Sequence, residues 1–180
     1  VWFFDKNTAV MGAMADLGIH KTDLIQFLTG KKIVETTAKL ATLNKKTSDG
    51  KPISVDDNAF CIYKMENGII GIMTASWTYY GPEDNSTILY GTKGIMRIYD
   101  DPQYAIKVLM HDGEKINFEM EGIQTNEKQT KSGVIDLFVD SILNDRDTEL
   151  SGKAALSSMK AVFASIESSE KGKTITVDQD

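Results

Sequence analysis

Ala59-Phe60-Cys61-Ile62-Tyr63-Lys64-Met65-Glu66-Asn67-Gly68-Ile69-Ile70-Gly71-Ile72-Met73-Thr74-Ala75-Ser76-Trp77 is the stretch that decides the fold. Two apolar runs flank Glu66-Asn67-Gly68, and Asn-Gly accepts the positive φ angles that a tight hairpin demands. Strands joined this closely are antiparallel, because a parallel pair needs a crossover of about a dozen residues. Downstream, residues 86–90 and 94–99 form a strand pair around Thr92-Lys93. Residues 105–110 and 115–120 form a third hairpin around Asp112-Gly113. Upstream, residues 33–43 alternate as a strand, and residues 47–57, with Gly50 and Pro52, read as a loop.

Helical sequence brackets these strands. Residues 8–29 read as one helix, capped by Asn7 or Thr8, closed by Gly30, with Leu17, Leu24 and Leu28 as its apolar stripe. Residues 133–143 follow a candidate cap at Ser132 and bury Val134, Leu137, Phe138 and Ile142. A further helix runs from a cap at Ser151 to Lys171, with Leu156, Met159, Val162, Phe163 and Ile166 inside, and Gly172 ends it. Residues 173–177 add a last strand. The expected class is α+β: an open, mostly antiparallel sheet with helices on one face. A sheet covered on one face only needs a partner for the other.

A chain of 180 residues can bury a real core, and 41% hydrophobic with 26% charged residues is the balance of a soluble globular domain. A net charge of −6 without a basic cluster argues against nucleic acid and anionic membrane as partners. No apolar run approaches a membrane span, and no secretory signal opens the chain. The single Cys61 allows no intramolecular disulfide and, with two His, no ordinary zinc site, so no metal is expected. The default setting is cytoplasmic. Val1-Trp2-Phe3-Phe4 opens on apolar residues without Met and reads as a fragment of a longer protein.

Gly12-Ala-Met-Ala-Asp16-Leu-Gly18-Ile-His20-Lys-Thr-Asp23-Leu24 carries the candidate chemistry. On a regular helix Asp16 and His20 lie one turn apart on one face, and Asp23 shares it. Imidazole titrates near neutrality, and a nearby carboxylate can fix its tautomer, which is the composition of a proton-transfer site. A structural role for this pair stays equally open on spacing alone. Other motifs carry less. Gly172-Lys173-Thr174 lacks the earlier glycine of a phosphate loop, since position 167 is Glu167. No triple among the 14 glycines has dinucleotide-binding spacing. Gly91-Thr-Lys-Gly94 reads as a turn. Trp77, Tyr79 and Tyr80 line a sugar pocket or pack at a strand end.

Trp2-Phe3-Phe4-Asp5 followed by Gly12-x-x-x-Asp16-x-Gly18-x-His20-x-x-Asp23-Leu24 resembles the start of the C-terminal domain of the glucose–fructose oxidoreductase / inositol dehydrogenase (Gfo/Idh/MocA) family. Ala75-Ser76-Trp77, Gly91-Thr-Lys-Gly94, Leu150-Ser-Gly152-Lys-Ala-Ala-Leu156 and Gly172-Lys-Thr-Ile-Thr-Val177 are similar to its later segments. The family often has more glycines where this chain has Val10-Met11-Gly12. The resemblance implies that residues 1–180 are the substrate-binding and oligomerisation domain of a two-domain NAD(P)-dependent oxidoreductase. Its N-terminal Rossmann domain, absent from this chain, binds NAD or NADP, so no cofactor-binding residue is expected here and the fragment alone is inactive. The implied substrate is a sugar, polyol or related secondary alcohol. His20 is the implied general acid/base, Asp16 orients it or the substrate, and Trp2 and Tyr79 are further substrate contacts. The open sheet face implies a homo-oligomer. The alternatives are a non-catalytic dimerisation or ligand-sensing module on the same scaffold and, more remotely, a stand-alone hydrolase, for which no nucleophile elbow is present.

Overall fold

The computed structural model describes residues 2–119, 133–148 and 150–179. Met120 and Ser132, expected in a strand end and a helix cap, lie outside the described residues. In chain order the elements are α1 (Lys6–Ala9), α2 (Ile19–Thr29), β1 (Ile33–Ala41), β2 (Asn58–Met65), β3 (Ile70–Ser76), β4 (Thr87–Gly91), β5 (Gly94–Ile98), β6 (Ile106–Met110), β7 (Lys115–Phe118), α3 (Val134–Leu143), α4 (Gly152–Lys171) and β8 (Ile175–Thr176). They fall into two compact units, Val1–Tyr79 with Asp140–Asp180, and Tyr80–Val139.

In the first unit the central hairpin forms as its sequence dictates. Asn67 and Gly68 take φ of 63° and 84°, and Met65 N–H closes the turn on Ile69 O at 2.8 Å. Cys61 then faces Met73 and Ala59 faces Ala75. β1 adds on the other side of β2, with Thr36 opposite Tyr63, and β8 pairs antiparallel with β1. The order is β3-β2-β1-β8. Strand alternation gives this sheet two unlike faces. Ala59, Cys61, Tyr63 and Met65 point into a core shared with Met14, Met73, Ala161 and Val162. Phe60, Ile62, Ile70 and Ile72 stand exposed on the opposite face.

Helix α4 covers the inner face with a stripe that its hydrophobicity does not announce. Ser151 caps it through Ala154 N, and Gly172 ends it at φ 63°, as expected. The residues it buries, however, are Ser158, Ala161, Val162, Ala164, Ser165 and Ser168. Leu156, Met159 and Phe163, expected inside, are about half exposed. Small side chains let the helix approach β1 closely, and the serines then hydrogen-bond to the strand. Thr36 Oγ1 and Ser165 Oγ lie 2.9 Å apart. Beyond the short β8, Ala38 N–H donates to Ser168 Oγ at 2.9 Å and Leu40 N–H to Ser169 Oγ at 2.8 Å. These hydroxyls finish a strand edge that would otherwise carry bare donors. On α3, Val134, Phe138 and Ile142 are likewise exposed instead of buried. Periodicity shows which residues share a stripe, not whether anything covers it.

The second unit is a four-stranded antiparallel sheet, β4-β5-β6-β7, with Leu89 opposite Met96 and Val108 opposite Ile116. The α+β class and the antiparallel pairing are as expected, but the strands make two sheets instead of one. Residues 77–86 form no strand, and this length of connection relaxes the register that a tight turn imposes.

The loop before β2 is held by Asp57, which is fully buried. Its carboxylate accepts from Leu43 N, Asn44 N and Lys45 N at 2.7, 2.8 and 2.7 Å, and from Asn58 Nδ2 at 2.7 Å. Burial pushes the Asp57 pKa up, but these donors outweigh it and hold it below the ordinary carboxylate value. A depressed folded pKa gives stability that is present above the unfolded value, about 3.9 for Asp, and is lost as pH falls through the folded one. Asp57→Ala orphans three backbone N–H groups, so it should cost about 3 kcal/mol or more in urea unfolding at neutral pH. The wild-type advantage over the variant should shrink as pH falls below about 4. An advantage that stays constant into acid would contradict this role.

Candidate functional site

The expected uninterrupted helix over residues 8–29 is broken at its start. Asp5, not Asn7 or Thr8, caps α1 by accepting from Asn7 N at 2.9 Å. The chain then turns through Val10 at φ 69°, a strained value for a β-branched residue. The next helical segment is capped from a distance. Asp56 accepts from Gly12 N at 3.0 Å and Met14 N at 2.7 Å through its carboxylate, and from Ala13 N at 2.9 Å through its carbonyl. One residue thus satisfies three successive donors of a helix start. The approach is so close that a Cβ on Gly12 would overlap the Asp56 carbonyl oxygen. Burial pushes the Asp56 pKa up, and the Met14 and Gly12 N–H groups only partly offset it.

Met14–Gly18 then forms a wide π turn before α2 begins at Ile19. Such turns, with i→i+5 hydrogen bonding, are often found at functional sites. Asp16 lies in this turn and His20 in the first turn of α2. Thr22 pins the junction: its hydroxyl donates to Gly18 O at 2.8 Å and lies 3.0 Å from Tyr63 Oη on β2.

Asp16 is half-buried, and its Oδ2 accepts from Trp77 Nε1 at 2.9 Å. His20 is exposed and its imidazole makes no hydrogen bond among the described residues, so no side-chain bond joins it to Asp16. Asp23, expected on the same face, instead accepts the Ser158 hydroxyl at 2.7 Å, toward α4. It lines a groove of about 480 Å³ with Gln26, Phe27, Lys31, Lys153 and Leu156, at the other end of α2 from Asp16.

Trp77 sits just past β3, where its N–H donates to Asp57 O at 2.9 Å. Its ring meets Phe3 edge-on at 6.2 Å and Phe4 at 5.8 Å. Trp2 lies against Phe3 at 4.2 Å and is 60% exposed, so an aromatic row leads from it to Asp16. Tyr79, two residues beyond Trp77, is equally exposed. Asp56 and Asp57 lie in a segment that reads as loop, and only the placement of consecutive acids just before a strand hints at their capping role. Burial pushes the Cys61 thiol and the Tyr63 phenol up, so neither is an anionic nucleophile near neutrality. Among the described residues no three His, Cys, Asp or Glu side chains converge as a metal site.

Residues 1–97, which hold Asp16, His20 and Trp77, match the GFO/IDH/MocA C-terminal domain. The chain belongs to this family. No curated protein matches it in sequence. Solved structures share the fold of this GFO/IDH/MocA domain at low identity. An oxidoreductase domain protein from Kribbella flavida has a TM-score of 0.80 and 20% identity over 99% of this chain and 54% of its own. Levoglucosan dehydrogenase, in complex with NADH and levoglucosan, has a TM-score of 0.83 and 20% identity over 100% of this chain and 54% of its own. An oxidoreductase from Agrobacterium radiobacter, in complex with NAD+, L-tartaric acid and magnesium, has a TM-score of 0.76 and 21% identity over 93% and 49%. This chain thus spans about half the length of these structures. The described strands form no βαβ unit of the kind that carries a dinucleotide's phosphate-binding turn, since every strand pairing among them is antiparallel.

Proposed function

We propose that this chain is the substrate-binding domain, bearing the acid/base residue, of an NAD(P)-dependent oxidoreductase that oxidises a secondary alcohol of a sugar, polyol or related compound. The observation that carries the reading is the family match over residues 1–97, which includes the accessible His20 and the half-buried Asp16. NADH and levoglucosan in one fold neighbour, and NAD+ with L-tartaric acid in another, support this cofactor and class of hydroxylated substrate. The cofactor would be held by a separate Rossmann domain of a longer, cytoplasmic protein. No described helix is long and apolar enough to cross a membrane.

In this reading residues 1–180 are one functional domain whose own chemistry is proton handling. His20 takes the proton of the substrate hydroxyl and can return it, since its ring is exposed and makes no hydrogen bond among the described residues. Asp16 holds the substrate by a hydroxyl group. Trp2 and Tyr79 offer exposed aromatic surface to the C–H faces of a sugar. The exposed Phe60, Ile62, Ile70 and Ile72 form the self-association face of a homo-oligomer. One observation favours a second reading: with no side-chain bond from Asp16 to His20, the domain is a non-catalytic dimerisation or ligand-sensing module.

His20→Ala in the full-length protein separates the two readings. Catalysis predicts a loss of about 10²- to 10⁴-fold in kcat with folding intact, whereas unchanged turnover supports the module. The purified 180-residue chain, mixed with NAD or NADP and a panel of polyols, should show no hydride transfer, and turnover by it would refute a separate cofactor domain. Ile72→Glu should shift the full-length protein to monomer in sedimentation velocity, and an unchanged assembly would place the interface elsewhere.

A further inference from the structure

We infer that Trp77 is a positioning residue for Asp16, an inference that rests on the dehydrogenase reading. An indole Nε1–H is a donor only, and its bond to a carboxylate is charge-assisted. At 2.9 Å this bond commits Asp16 Oδ2. Oδ1 carries no hydrogen bond among the described residues, so it is the oxygen offered to a substrate hydroxyl. The donor is itself immobilised three ways. Its ring is wedged by Phe3 and Phe4, with centroids 6.2 and 5.8 Å away. Its backbone N–H is tied to Asp57 O at 2.9 Å. The Asp57 carboxylate is in turn fixed by Leu43, Asn44, Lys45 and Asn58.

The acidic and imidazole groups thus divide the work. Asp16 is oriented by Trp77 and not by His20, so the carboxylate steers the substrate while the imidazole carries the proton. A carboxylate on a wide turn would otherwise rotate freely about its own side-chain bonds. Trp77 selects one orientation in advance, and a preset orientation is worth most where the reacting groups must meet in a single geometry.

Two measurements test this. In the 180-residue chain, whose only tryptophans are Trp2 and Trp77, Asp16→Ala should speed solvent exchange of the Trp77 indole proton and leave that of Trp2 unchanged. Equal exchange before and after substitution would overturn the inference. In the full-length protein, Trp77→Phe should lower kcat/KM about ten- to a hundredfold, the scale of one hydrogen bond to a charged group, with Tm unchanged. Should Phe disturb the packing, benzothienylalanine at position 77 keeps the ring and replaces the N–H by sulfur. In an Asp16→Ala background the same change should cost less than about twofold, a coupling that a purely structural tryptophan would not show. Equal losses in both backgrounds, or a loss in Asp16→Ala but none in Trp77→Phe, would overturn the role of Trp77 alone. Unchanged turnover in Asp16→Ala, His20→Ala and Trp77→Phe together would instead overturn the dehydrogenase reading, and this inference with it.

Discussion

Two adjacent carboxylates, Asp56 and Asp57, hold the first unit together at the point where its parts diverge. Each is turned inward and each is satisfied mainly by backbone N–H groups. Asp56 gathers Gly12, Ala13 and Met14, and so sets where the segment bearing Asp16 begins. Asp57 gathers Leu43, Asn44 and Lys45, and through its carbonyl receives the N–H of Trp77. The two aspartates respond oppositely to their surroundings. Asp56 has too few donors to offset its burial, while Asp57 has more than enough. A buried anion is tolerable when donors converge on it, and here those donors belong to three separate stretches of chain. Asp16 and Trp77 meet because both are hung from this pair.

The hairpin was legible because its cause is local. Asn67-Gly68 sits between two apolar runs, and no distant residue is needed to read the turn. The same holds for Ser151, Gly30 and Gly172, whose capping roles follow from their own conformational preferences. The face of α4 was legible only in part, since Val162 is buried and Ile166 packs against the core as expected. Leu156, Met159 and Phe163 form the more hydrophobic stripe, but contact with β1 selected the small one, where Ser158, Ala161, Ser165 and Ser168 allow close approach. Hydrophobicity ranks side chains by transfer from water and takes no account of the strand donors that serine hydroxyls complete.

The candidate site was legible in its residue types and illegible in its geometry. Asp16 and His20 stand out by spacing, but nothing in that spacing signals the π turn at Met14–Gly18 that carries Asp16. The partner that Asp16 does have lies 61 residues away in sequence. Trp77 was visible as an aromatic at a strand end, and nothing local marks it as a donor to a carboxylate. Asp23, which pattern alone groups with Asp16 and His20, is drawn to Ser158 because α4 packs beside that end of α2.

The serine contacts along β1 also bear on how the chain folds. Ala38 and Leu40 find their acceptors 130 and 129 residues later. The hairpin of β2 and β3 can close early, since its contacts are near in sequence, but the outer margin of β1 stays bare until the last helix docks. Distant closures of this kind are slow, because much chain entropy is lost before any bond is gained. During that interval the unit presents the surface on which unrelated strands pair. A chain that ended before Ser165 would keep most of its strands and lose the element that keeps them from associating with other chains.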